Sequence, residues 1–323
     1  MHIVAISQWR EATMAQNTRE LRRRIKATKS IRQITKAMEM IAASKMRKAQ
    51  LAALASRPYA DLAWEILSSL YGKDKSLSEE QVGSYIKFLG SYTENENQTK
   101  QLIILITSNR GLCGSLNSQL VNEALNLAKS DKNNYSFVAV GRKGLRSLLR
   151  QGFNVLASFD SFENQPDFNA IRPIAKIVMD KFLASEVSRV IVVYADFIST
   201  LQYKIRSKQL LPLTPYNVVL SGGVKLDINT KDSERNNKTE ILFEPSPEEI
   251  LSSLLPRLIE LQVYQSIVEN LASEHSARMV NMKNASDSAR DIINDLTLTY
   301  NSLRQASITA DLADIIGGRM AVK

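Results

Sequence analysis

Apolar positions recur at steps of three and four along both ends of this 323-residue chain, and gather into short continuous runs between them. At the C-terminal end, Arg257 to Ile316 contains neither proline nor glycine; Pro256 precedes the stretch and Gly317-Gly318 follows it. Within it Met282, Ala285, Ala289, Ile292, Leu296, Thr299, Leu303, Ala306, Ala310 and Ala313 hold one register. The register continues backwards through Arg278 and His275 to Leu271, Val268, Tyr264 and Leu261. A sustained seven-residue repeat keeps one helix face turned to a partner helix. At about 1.5 Å per residue, some 60 helical residues would reach roughly 90 Å, so most of this helix is expected to protrude from any small domain. Alanine dominates the distal seam, which predicts close but thin packing there.

The N-terminal pattern is similar. Asn17 or Thr18 is placed to cap a helix from Arg19, with Leu21, Ile25, Ile31, Ile34, Met38 and Ile41 on one face and Thr28 and Thr35 beside it. Pro58 is the first expected break, after which YADLAWEILSSLYG carries the helix to about Gly72. Residues 73–100 are polar and read as a connector. Strand-length apolar runs then alternate with helical patterns: LIILIT from 102, a helix over 115–129, YSFVAVG, a helix through Leu149, FNVLASF, a helix over 168–183, and SRVIVVYADF. This alternation predicts a mainly parallel sheet covered on both faces. Residues 202–213 add a further strand, and 216–240 read as an exposed loop. Ser246, Pro247 and Glu249 form a helix entry as N-cap, first and third positions. The expected domains are therefore a helix over 14–72, the connector, an α/β domain over 101–244 and a helix over 245–323, with residues 1–13 as an extension. If the two helices pack together they must run antiparallel.

Charge sharpens the picture. Of the formal net charge of +9, the segment from Met14 to Gln50 supplies all: eleven basic residues oppose only Glu20 and Glu39. Such a helix suits an acidic partner surface, or a nucleic-acid backbone, although no aromatic residues are interleaved for base stacking. The single cysteine, Cys113, excludes an internal disulfide, and no stretch approaches the apolar length of a membrane span. The opening residues do not fit a signal peptide, and Met14 is a plausible start.

Catalytic chemistry is hard to assemble from this chain. The turn Ser108-Asn109-Arg110-Gly111-Leu112-Cys113-Gly114-Ser115 stands where α/β sheets often bind phosphate, yet it lacks a P-loop lysine and the third glycine of a dinucleotide fingerprint. A structural turn around Gly111, Cys113 and Gly114 is the favoured reading. The two histidines, His2 and His275, make no metal constellation with one cysteine, and His275 falls on the helix seam. No catalytic, cofactor or metal site is expected.

At ITKAMEMIAASKMRKAQ (34–50) the chain resembles the gamma subunits of F-type ATP synthases. The resemblance recurs in order at SNRGLCGSLN (108–117), at DF followed by LLPL (196–213), at FEPSPEEIL (243–251), at SEHSARMVNMKNASDSA (273–289) and at YNSLRQASITADLADIIGG (300–318). It covers about Met14 to the C-terminus; residues 1–13 have no counterpart, the ending RMAVK departs from the family, and no inserted dithiol segment is present. The resemblance implies an α/β fold class built as a long antiparallel coiled coil of the N- and C-terminal helices plus a central Rossmann-like α/β domain. It implies a non-catalytic rotor shaft inside the alpha3-beta3 ring, with a base on the epsilon subunit and the c-ring, no nucleic-acid partner, and a peripheral position on the cytoplasmic face of a bacterial inner membrane. Contacts to beta-subunit loops carry over to Met38, Arg304, Gln305 and Thr309, and a smooth bearing tip to Ala310, Ala313, Ile315 and Ile316.

Overall fold

The computed structural model describes residues 2–73, 87–89, 100–129, 132–162, 166–213 and 246–321. The expected loop at 216–240 and most of the connector lie outside them. The chain divides into two compact units, residues 42–278 and residues 1–41 with 279–323. Two helices, α1 (His2–Lys73) and α5 (Pro247–Ala321), contribute to both.

The larger unit holds a five-stranded sheet of β1 (Gln101–Ile106), β2 (Tyr135–Val140), β3 (Asn154–Phe159), β4 (Arg189–Phe197) and β5 (Tyr203–Leu211). Its order is β3-β2-β1-β4-β5; the first four strands are parallel and β5 is antiparallel to β4. The connecting helices are α2 (Leu116–Leu127), α3 (Arg142–Arg150) and α4 (Phe168–Leu183). Successive strand residues point to opposite faces, so each central strand feeds two cores. Leu102, Ile104, Val138, Val190 and Val192 join α4 residues Ile171, Ile174 and Val178, with Ala63 and Leu67 of α1 and Leu251, Leu255 and Leu258 of α5. Ile103, Leu105, Phe137, Ala139 and Val193 meet Leu116, Leu120 and Ala124 of α2 on the other face. Gly141, after β2, has φ +99°, and a Cβ there would stand 2.1 Å from the Thr107 carbonyl oxygen, so no other residue fits the turn into α3.

Within this unit α1 and α5 run antiparallel. Ala49, Ala52 and Ala53 pack on Val268, Leu271 and Ala272, while Ala63 and Leu67 share a core with Leu251 to Ile259. This packing explains one correction. Pro58 does not break α1, and both it and Pro256, which falls within the helix expected over 245–323, lie inside their helices. A proline costs an internal helix about 3 kcal/mol, but buried residues on both sides of each hold the helix together. At the entry the sequence reading stands: α5 begins at Pro247, and the Glu249 amide donates to Ser246 Oγ at 3.2 Å. α1 is already helical at His2, so Asn17 and Thr18 do not cap it, and α5 stays helical to Ala321 past the glycine pair.

In the smaller unit the seam differs from the expected one. Met282, Ser286, Ala289 and Ile293 are buried on α5, followed by half-buried Leu296, Tyr300, Leu303, Ser307 and Ala310. One column of the expected repeat is thus correct and the other is displaced by one residue: Ile292, Thr299, Ala306 and Ala313 face outward. The adjacent Ile292 and Ile293 are indistinguishable by residue type, and Ser286 and Ser307 hide the true column behind polar side chains. On α1, Thr35 is buried and Leu21, Ile25, Thr28 and Met38 are half-buried, but Ile31, Ile34 and Ile41 are exposed. Accordingly, Ile293→Ala is expected to lower the unfolding free energy by about 2 kcal/mol, whereas Ile292→Ala should change it by less than about 0.5 kcal/mol. Urea unfolding midpoints of the two variants check this.

Candidate functional site

In a doubly wound sheet the ligand crevice opens at the carboxyl ends of the strands where the connections switch face. Here that point lies between β1 and β4, because α2 and α3 cover one face and α4 the other. The loop after β1 is fixed by side chains. Thr107 donates its amide to the Val140 carbonyl at 2.7 Å, and its hydroxyl accepts from the Gly144 amide at 2.9 Å. Asn109 Oδ1 accepts from the amides of Arg142 and Ser161 at 3.1 and 3.0 Å. Asn117, in the first turn of α2, donates to Ser108 Oγ at 2.8 Å and to Cys113 Sγ at 3.1 Å. Leu112 (φ 67°) and Gly114 (φ 63°) adopt left-handed backbone, whereas a Cβ at Gly111 would meet nothing within 4 Å. The turn therefore strains Leu112, not Gly111. Cys113 is buried, and that burial raises its pKa, partly offset by its hydrogen bond with Ser108.

α5 fills the crevice. Its early residues sit in the core with α4, yet Ala277 packs in the opposite core beside Cys113 and Leu116. The helix therefore crosses the carboxyl end of the sheet between Ile267 and Ala277. On the way Asn270 Oδ1 accepts from the Ala195 amide at 3.1 Å, and Ser273 donates its hydroxyl to the Ala195 carbonyl at 3.0 Å. Ser276 donates to the Thr200 carbonyl at 2.5 Å, in the turn from β4 to β5. Arg278 donates to Glu274 at 2.7 Å and to the Gly111 carbonyl at 3.4 Å, with His275 Nδ1 at 3.0 Å. Facing Glu269 of the helix is a polar layer of Tyr194, Lys208 and the Arg206–Asp196 pair at 2.6 Å. Burial raises the pKa of Tyr194, and the Glu269 carboxylate adds to it. Burial lowers that of Lys208, against the pull of Glu269. What occupies the crevice is thus a helix of the chain itself.

The expected contact residues lie in the smaller unit. Met38 is half-buried; Arg304, Gln305 and Thr309 are exposed within two turns of α5, where Thr309 donates to the Gln305 carbonyl at 2.9 Å. Met40 lines a groove with Ile293, about three helical turns before Arg304, so Met38 and the Arg304 group are separate stations along the pair. Lys29, Arg32 and Lys36 line the same groove. At the tip, Ala310 is half-buried while Ala313, Ile315 and Ile316 are exposed. Sequence reasoning missed the outward Ile308 and Leu312, which share a face with Arg304 and Thr309. It also missed Asn270, Ser273 and Ser276, which stand at steps of three but are masked by the neighbouring polar Glu269, Glu274 and His275. Among the described residues no acidic, histidine or cysteine cluster could hold a metal, and no helix is long and apolar enough to cross a membrane.

The family model described as ATP synthase matches residues 17–322. Curated relatives include the ATP synthase gamma chains of Dehalococcoides mccartyi, 38% identical over 95% of this chain and 99% of that protein, and of Roseiflexus castenholzii, 37% identical over 95% and 98%. The chain belongs to the ATP synthase gamma chain family. The fold agrees: a chain of the Euglena gracilis mitochondrial ATP synthase (OSCP/F1/c-ring, rotational state 3) superposes with a TM-score of 0.62 at 20% identity, covering 95% of both chains. One from the central stalk/c-ring of the Tetrahymena thermophila enzyme gives 0.55 at 24% identity over 78% of this chain and 99% of that one. The Arg278–Glu274 pair closes the far end of the crossing, with side chains only 12% and 7% exposed. Arg278→Met should destabilise the chain by about 3 kcal/mol, because removing one partner of a buried pair leaves the other charge poorly compensated. Adding Glu274→Gln should recover part of that loss, as thermal unfolding of both variants would record.

Proposed function

We propose that this chain is the central rotor shaft of an F-type ATP synthase, coupling proton flow through the membrane sector to the conformational cycle of the beta catalytic sites. In this reading the paired helices of the smaller unit stand inside the alpha3-beta3 ring. The larger unit binds the epsilon subunit and the c-ring, on the cytoplasmic face of a bacterial inner membrane. Rotation of an asymmetric shaft stabilises the open, loose and tight states of each beta site in turn; the shaft contributes differential binding energy and no reacting group. The same chain driven by ATP hydrolysis turns in reverse.

The observation that carries the proposal is the outer surface of the helix pair. Ile31, Ile34, Met40 and Ile41 on α1 and Ile292, Leu298, Ile308, Leu312, Ile315 and Ile316 on α5 are all about half or more exposed. Monomeric proteins rarely leave that much apolar surface in one region uncovered. The basic residues of α1 are interspersed among them, Arg24 pairing with Glu20 and Lys36 with Glu39. An apolar sleeve with acidic rim loops matches both features. Met38, Arg304, Gln305 and Thr309 are proposed to meet beta-subunit loops, and Ala310, Ala313, Ile315 and Ile316 to turn in the bearing without adhering.

Reconstitution with alpha and beta subunits tests the reading: strong ATPase activity should require this chain and weaken when the last turns of α5 are removed. Equal activity without the chain would refute it. Met38→Lys should add an ion pair to an acidic loop and lower the ratio of proton pumping to ATP hydrolysis, measured in membrane vesicles; an unchanged ratio would remove Met38 from the contact.

A further inference from the structure

β1 pairs with β4 only as far as Val193, while β4 continues to Phe197. Beyond that point the strand has β5 on one side and, among the described residues, no strand on the other. Ala195 is fully buried there, and both its peptide groups are held by side chains of α5, the amide by Asn270 and the carbonyl by Ser273. These two residues stand in for the missing strand, and both are themselves buried. One turn on, Ser276 and Arg278 leave the helix about 200° apart, at about 100° per residue. They take the Thr200 carbonyl on one flank and the Gly111 carbonyl on the other. Ala277 between them sits in the core of the far face.

We propose that Asn270 and Ser273 are positioning residues for torque: they key α5 to the sheet, so that the helix can neither slide along nor turn within the crevice when load is applied. The proposal rests on the rotor reading above. Apolar packing alone resists such motion weakly, because it is non-directional and a helix of small side chains can slip by one register at little cost. Hydrogen bonds to fixed main-chain atoms have one register only, since donor and acceptor must meet within a narrow range of distance and angle. Half-buried Lys208 and Arg206 of β5 lie near Glu269 of the same stretch of helix and add charge to that register.

The test uses the complete, membrane-embedded ATP synthase carrying either the disruptive pair Asn270→Leu and Ser273→Ala or the conservative pair Asn270→Asp and Ser273→Thr. The conservative pair retains an acceptor and a donor. ATP hydrolysis and ATP-driven proton pumping are read on the same vesicles. The disruptive pair is expected to keep hydrolysis while pumping per ATP falls several-fold, and the conservative pair to restore most of it. A purely structural role would lower the amount of assembled complex and leave the ratio of pumping to hydrolysis as in the native enzyme; that result overturns the proposal. If the double variant does not assemble, Ser273→Ala alone is measured with the same expectation, and a native ratio there overturns it equally. Failure of the rotor reading is distinguishable, since complexes lacking this chain altogether would then pump as well as complete ones.

Discussion

The larger unit depends on a rule of backbone chemistry: a peptide group taken out of water must find a hydrogen-bond partner. A sheet supplies partners only where strands lie side by side, and β4 outruns β1. Something has to cover the overhang at Ala195, and α5 does so with side chains. That requirement fixes where α5 crosses the sheet, and hence which of its residues enter each core. The buried stretch from Leu261 to Ala277, enclosed on nearly every side, is the result. An amphipathic helix shows one apolar stripe, but one wrapped by a sheet edge and a second helix cannot. Among the polar residues inside this stretch, Asn270, Ser273 and Ser276 reach main-chain atoms of the α/β domain.

The smaller unit obeys the opposite logic. Its two helices share a narrow seam of small and partly polar residues, and most of their apolar surface looks outward. A seam built from Ser286, Ala289, Ser307 and Ala310 buries little area, so the pair gains modest stability from its own contact. What it leaves uncovered is what a surrounding partner can use. Thin internal packing and a generous external apolar face are two aspects of one allocation of side chains.

Much of this was legible in the sequence. The strand runs, their alternation with helices, and the Ser246-Pro247 entry follow from local patterning and capping chemistry, and each appears within a residue or two of its expected place. Two kinds of feature were not legible. The displaced seam column turns on a choice between Ile292 and Ile293, which only the position of the partner helix decides. The continuity of α1 through Pro58 reflects tertiary packing that outweighs a local penalty. At the candidate site the loop 108–115 was readable as a tight turn, but the residue under backbone strain, Leu112, was not, because a leucine gives no sign of a positive φ. The keying residues were hidden for a similar reason: Asn270 and Ser273 mean little until Ala195, far away in sequence, is placed beneath them.

A crevice at this point of an α/β sheet would ordinarily hold a diffusible ligand, and its occupancy would follow that ligand's concentration. Here the occupant is covalently part of the chain. Its effective concentration is set by the tether and does not change with the metabolic state of the cell, so no nucleotide or phosphate pool can titrate it out.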